Sequence, residues 1–252
     1  MNAATGSTTV LLVGAVLIRL VLTGDYLRYV RSGMSPLLLL AGAVLVLLGL
    51  AGLLGALRRR DPEPGGDPEP GGDGHDHGHD HGHGHEHPGG ARVGWLLLAP
   101  VLALLLVAPP ALGSFGVDRT LPAGVSVRSG GAVFTPLPAG RPGPVPLTLL
   151  EFGQRAADRS GASMAGATLQ LTGFVARPRD GDGVRLARYQ IACCAADAVA
   201  AVVRLVGLGA EPVRDSWLTV TGSYRGAGPD GVPELTVTSS HAVPAPTDPY
   251  ES

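Results

Sequence analysis

The chain has 252 residues, a formal net charge of −2, 16% charged residues and 4% aromatic residues. That balance leaves no basic footprint for nucleic acid. Two cysteines make at most one bridge, so a disulfide-stapled scaffold is excluded, and the length admits one large domain or two small ones.

Three apolar runs occupy the first 115 residues: 8–24, 35–57 and 93–115. A bilayer core of about 30 Å needs roughly 20 apolar residues as helix. The second and third runs carry no charge and meet that length; the first is interrupted by Arg19 and also fits a cleaved signal peptide. Three transmembrane helices are expected. Arg19 lies near the end of its run, where it can snorkel to the interface or pair with an acid on another helix. Pro100, Pro109 and Pro110 should kink or end the third span. Tyr26 and Trp95 fall near span ends, where amphipathic rings settle. Arg58, Arg59, Arg60 and Arg92 flank the 58–92 loop, against Arg28, Arg31 and Arg119 on the other side. The positive-inside rule then makes the loop cytoplasmic and the carboxy-terminal domain extracytoplasmic, in a multi-pass protein of a bacterial cell membrane.

The 58–92 loop opens with a tandem DPEPGG repeat and continues DGHDHGHDHGHGHEHPGG. Seven of the eight histidines are here: His75, His77, His79, His81, His83, His85 and His87. With no hydrophobic residue to build a core, the segment is expected to be disordered without a ligand. Imidazoles on a flexible backbone can converge on zinc, copper or nickel. The competing reading is a slippage repeat in a solvated linker, since the DPEPGG duplication beside it is one.

Residues 116–146 are rich in Gly and Pro and read as a linker with one short strand. From 147 the pattern becomes that of a domain. Thr148 followed by Glu151 fits a capping box, and LLEFGQRAADR continues as a helix. Segments 167–178, 184–194, 198–207, 216–226 and 233–246 then read as five strands punctuated by Gly and Pro. The run AVAAVVRLVG at 198–207 is too short to assign by period alone. The expected fold class is membrane α, three helices, with a small all-β carboxy-terminal domain, an OB-like five-stranded barrel over 147–252. Few aromatics are available to stack bases, so nucleic acid is not an expected partner. Arg185 and Arg188 read as a solvated strand face or a surface for an anionic partner, and Asp215 as a turn residue.

Cys193 and Cys194, the only cysteines, are adjacent in QIACCAADA. On a regular strand they would point to opposite faces. A turn at the strand end could aim both sulfurs the same way, with Asp197 joining directly or through a second layer of contacts. Three readings compete. The first is a thiolate metal site of Cys193, Cys194 and Asp197, with His241 as a fourth ligand, suited to zinc or Cu(I). The second is a redox or vicinal-disulfide role. The third is two small hydrophobes packed at a β corner. The chain contains neither HExxH nor GxxxxGK[ST], and no enzyme is expected.

The amino-terminal spans, the Gly/Pro-rich linker, LTGFV, RYQIACCAADA and DSWLTVTG together resemble the YcgQ-like family of bacterial membrane proteins. The resemblance covers most of the chain and is most specific over Arg188–Ala198 and Asp215–Gly222. It implies a permease subunit that accompanies a YcgR-like permease, in gene contexts some of which respond to zinc. It implies no established biochemical activity. The expected function is thus an accessory subunit of a metal-ion permease, zinc being the first candidate. The histidine loop would buffer or sense metal and the CCAAD segment would capture it or gate. A membrane-tethered thiol redox protein and a structural assembly subunit are the alternatives.

Overall fold

The computed structural model describes residues 3–58, 111–120, 134–138, 140, 142–178 and 183–251. The expected histidine-rich loop beyond Arg58, with His75 to His87, lies outside the described residues, as does the expected third span up to 110. Two compact units are formed, one by residues 1–22 and 36–109, the other by 23–35 and 110–252.

In the first unit, helices α1 (Ala3–Thr23) and α2 (Ser35–Arg58) match the first two apolar runs. Pro36 sits in the first turn of α2, where its missing N–H is not needed. Both helices are long and apolar enough to cross a membrane, with mean hydropathy 1.9 in an 18-residue window of Thr5–Thr23 and 2.8 in one of Ser32–Arg58. They pack through glycine. A Cβ on Gly14 would stand 2.7 Å from the Gly42 carbonyl oxygen, and one on Gly49 would stand 2.6 Å from the Leu11 Cβ. Small residues at such crossings let backbones approach where lipid-like surroundings offer no hydrophobic drive.

In the second unit five strands close a barrel: β2 (Leu169–Ala176), β3 (Val184–Gln190), β4 (Val199–Val206), β5 (Trp217–Ala227) and β6 (Pro233–Val243). Their order is β2-β3-β4-β6-β5, with β5 pairing back onto β2. The β4–β6 pair is parallel and the other barrel pairs are antiparallel. The barrel fits an OB-like fold. A short strand β1 (Val145–Pro146) lies parallel to the start of β2, as the one strand expected in the linker. Helix α4 (Leu149–Ala157) follows. Thr148 caps it, its Oγ1 accepting the Glu151 N–H at 3.0 Å. The other half of the expected capping box is used differently: the Glu151 carboxylate binds Arg155 at 2.8 Å. The buried face of α4, with Leu149 and Phe152, joins Leu171, Leu186, Val203 and Val220 in the barrel core.

A second buried cluster lies on the other face of β3 and β4 and includes Val117, Phe174, Ala187, Tyr189, Val202 and Tyr250. Thus β3 and β4 are covered on both sides. This is why 198–207 shows no alternation: a strand buried on both faces reads as a continuous apolar run. Val117 comes from α3 (Ser114–Thr120), a helix within what the sequence presents as linker. Residues 111–113 before it are irregular, so the expected third span does not run unbroken to Phe115. Asp215 does more than turn the chain: at φ 61° it accepts the Ser114 N–H at 2.8 Å and the Ser114 hydroxyl at 3.1 Å.

The two strand arginines also depart from expectation. Arg185 is buried at 5% exposure and pairs with Asp230 at 2.8 Å, so it faces no solvent and no partner surface. Arg188 donates to the carbonyls of Asp248 and Pro249 at 2.9 and 3.2 Å and lies over the Trp217 ring at 5.5 Å. Both reach polar partners far away in sequence, although the Nε and Nη1 of Arg185 are buried without a hydrogen-bond partner.

Candidate metal centre

β3 ends at Gln190, and the chain then leaves the ladder through Ile191 and the loop 192–197. Ala195–Asp197 form one turn of 3-10 helix, so the cysteines are not on a regular strand. The ligand atoms of Cys193, Cys194 and Asp197 lie within 4.8 Å of one another. A tetrahedral thiolate site with bonds of about 2.3 Å has edges of roughly 3.8 Å, so small adjustments would suffice. Cys193 is exposed and Cys194 half-buried, both as free thiols. The exposure of Cys193 argues against packing as its role, while Cys194 is partly covered.

Asp197 organises the loop. Its Oδ1 accepts the Ala192 N–H at 2.8 Å. Its Oδ2 accepts the N–H groups of Cys193 and Cys194 at 2.9 and 3.1 Å, and the Cys193 thiol at 2.9 Å. The Cys193 thiol and these amides draw the Asp197 carboxyl down to about 2. The same carboxylate, then Cys194, push the Cys193 thiol up to about 11. In this state Cys193 is protonated at neutral pH, and a metal must displace its proton. Two sulfurs and a carboxylate would give an ion three protein ligands and leave one position open, the arrangement of sites that exchange a ligand.

His241, expected as a fourth ligand, does not join the group. It stands exposed on β6 opposite Thr219. Instead the loop meets two segments that carry no sequence signal of it. The connector between α1 and α2 pairs with it: Ala195 N–H donates to the Tyr29 carbonyl at 2.7 Å, and Arg31 N–H donates to the Cys193 carbonyl at 3.1 Å. Val30 and Cys194 form an antiparallel bridge. On β3, just before the loop, the carboxy-terminal segment is tied in by Glu251 N–H to the Tyr189 carbonyl at 2.8 Å. The buried Glu251 carboxylate accepts the N–H groups of Leu149 and Leu150 at 2.8 and 3.0 Å, capping α4. Burial raises the Glu251 carboxyl, with those amides and Arg188 opposing. These partners lie between 62 and 166 residues apart in the chain, so no local pattern announces them.

A helix pair long enough to cross a membrane and an OB-like domain presenting a dithiol loop define a two-part architecture. The DUF1980 N-terminal domain matches residues 8–119 and the DUF1980 C-terminal domain matches residues 158–251. The chain belongs to the DUF1980 family. No curated protein and no solved structure matches it.

Proposed function

We propose that this chain is an accessory membrane subunit of a metal-ion permease, in which the CCAAD loop captures a thiophilic metal, zinc first, or gates its passage. One observation carries the reading: Cys193, Cys194 and Asp197 hold three ligand atoms within 4.8 Å on an accessible loop. Sulfur ligands select zinc and Cu(I) over calcium and magnesium. The histidine-rich 73–87 segment would buffer or sense the same metal. The permease partner would be a YcgR-like protein, and no catalytic residue is assigned. The thiol redox alternative is disfavoured at Cys193, because a thiol held near 11 is a poor nucleophile at neutral pH.

The test is elemental mass spectrometry on full-length protein purified without a His tag, beside a 73–87 deletion and a Cys193→Ser/Cys194→Ser variant of that deletion. Stoichiometric zinc or copper in the deletion protein, lost with the two serines, supports the reading. A folded deletion protein without metal confines any metal role to the histidine segment. Metal tolerance unaffected by the double serine variant, with the domain folded, would leave a structural assembly subunit.

A further inference from the structure

The dithiol loop is also the place where the α1–α2 connector is held. The backbone groups that grip the connector, the Cys193 carbonyl and the Ala195 N–H, flank the Cys194 sulfur along the chain. Cys194 is extended, with φ −153° and ψ 170°, in the bridge opposite Val30. The φ and ψ of Cys194, which place its side chain, therefore also set the Cys193 carbonyl against the Ala195 amide. Tyr250 adds a tie, its hydroxyl donating to the Arg28 carbonyl at 2.7 Å and accepting the Leu112 N–H at 3.4 Å.

We infer that metal binding at Cys193 and Cys194 is coupled to docking of the Tyr29–Arg31 connector, each tightening the other. This rests on the metal reading above. Ordering the loop costs conformational entropy, and whichever of metal or connector binds second meets a loop already ordered. The linkage is reciprocal: the factor by which the docked connector tightens metal binding is the factor by which metal tightens docking. The connector is the covalent link between α1 and α2, so the state of the loop reaches the helix pair through the chain itself.

Arg31 allows a clean test. Its φ of −59° and ψ of 143° are those of proline. Arg31→Pro removes the N–H that binds the Cys193 carbonyl, while Arg31→Ala removes the same side chain and keeps the N–H. Full-length protein in detergent is titrated with Co(II), following the thiolate-to-cobalt charge-transfer absorption. Only Cys193 and Cys194 can produce that band, as the chain has no other cysteine. The expected result is binding about 2- to 12-fold weaker in Arg31→Pro than in Arg31→Ala, the worth of one backbone hydrogen bond. In the unmutated protein, Co(II) should also slow hydrogen exchange in the peptide 24–34, and not in the Cys193→Ser/Cys194→Ser variant. A charge-transfer band with equal affinities and unchanged exchange would overturn the coupling and leave the metal site standing. Absence of the band would refute the metal reading, and the coupling with it.

Discussion

Replacing Asp197 by Asn isolates what the carboxylate does to the neighbouring thiol. Asp197 is the largest influence holding Cys193 at about 11, and Cys194 is the next. An amide at 197 retains an acceptor oxygen for backbone N–H groups but carries no charge to hold the thiol proton. The Cys193 thiol should then fall by roughly one to two units toward the ordinary range near 8.5. At pH 8 the thiolate fraction rises by about the same one to two powers of ten. Intrinsic nucleophilicity falls with basicity, at a Brønsted slope of about 0.4–0.5, so the net gain in alkylation rate is roughly 3- to 16-fold. The assay is iodoacetamide labelling of Cys193 at pH 8, in a Cys194→Ser background with and without Asp197→Asn. A rate that stays the same or drops would mean that the thiol and the carboxylate are not paired as described.

Glu251→Ala strips the buried N–H groups of Leu149 and Leu150 of their acceptor, and should cost on the order of 2–4 kcal/mol, read as a lower denaturant midpoint for the domain. Because burial raises the Glu251 carboxyl, the folded state holds its proton more tightly than the unfolded chain. Its contribution to stability therefore declines as pH rises from the ordinary glutamate range through the raised value, and Glu251→Gln should flatten that slope in pH-dependent denaturation. Asp197 acts with the opposite sign. With its carboxyl lowered to about 2, the loop contribution is complete above the ordinary aspartate range and disappears as pH falls through that value. Protection factors of the amides of Ala192, Cys193 and Cys194, taken against the intrinsic exchange rate at each pH, should fall over that acid window. Gly222→Ala places a Cβ against the Thr236 carbonyl at the β5 bulge and should destabilise the domain by about 1–3 kcal/mol in the same denaturation assay.

What was readable in the chain follows from how local each signal is. α1 and α2 announce themselves by apolar length. β2 and β5 alternate strongly enough to be read, although Gly173 and Thr219 are closely packed. β4 resisted a periodic reading because Ala200 and Val202 face one cluster while Ala201 and Val203 face the other. The turn that gathers Cys193, Cys194 and Asp197 was foreseeable from two alanines that end a strand. Its partners were not, since Tyr29 and Glu251 reach the region through backbone groups, which leave no trace in residue identity. Arg185 and Arg188 misled for a related reason. A charged residue on a strand implies solvent unless its partner is known, and Asp230 and the carbonyls at 248–249 are distant in the chain.

The pairing of Val30 with Cys194 has a consequence for biosynthesis. Translation proceeds from the amino terminus, and Val30 is made 164 residues before Cys194. At about 5–20 residues per second, that is an interval of roughly 8–30 s. Once Arg58 has been made, both helices are complete while the strand partner of their connector does not yet exist. The amide of Arg31 and the carbonyl of Tyr29 must meanwhile be met by water or by another protein. A chaperone or partner subunit that offers an extended segment at this stage would be displaced when the dithiol loop arrives. Assembly order would then be written into a two-residue β-bridge.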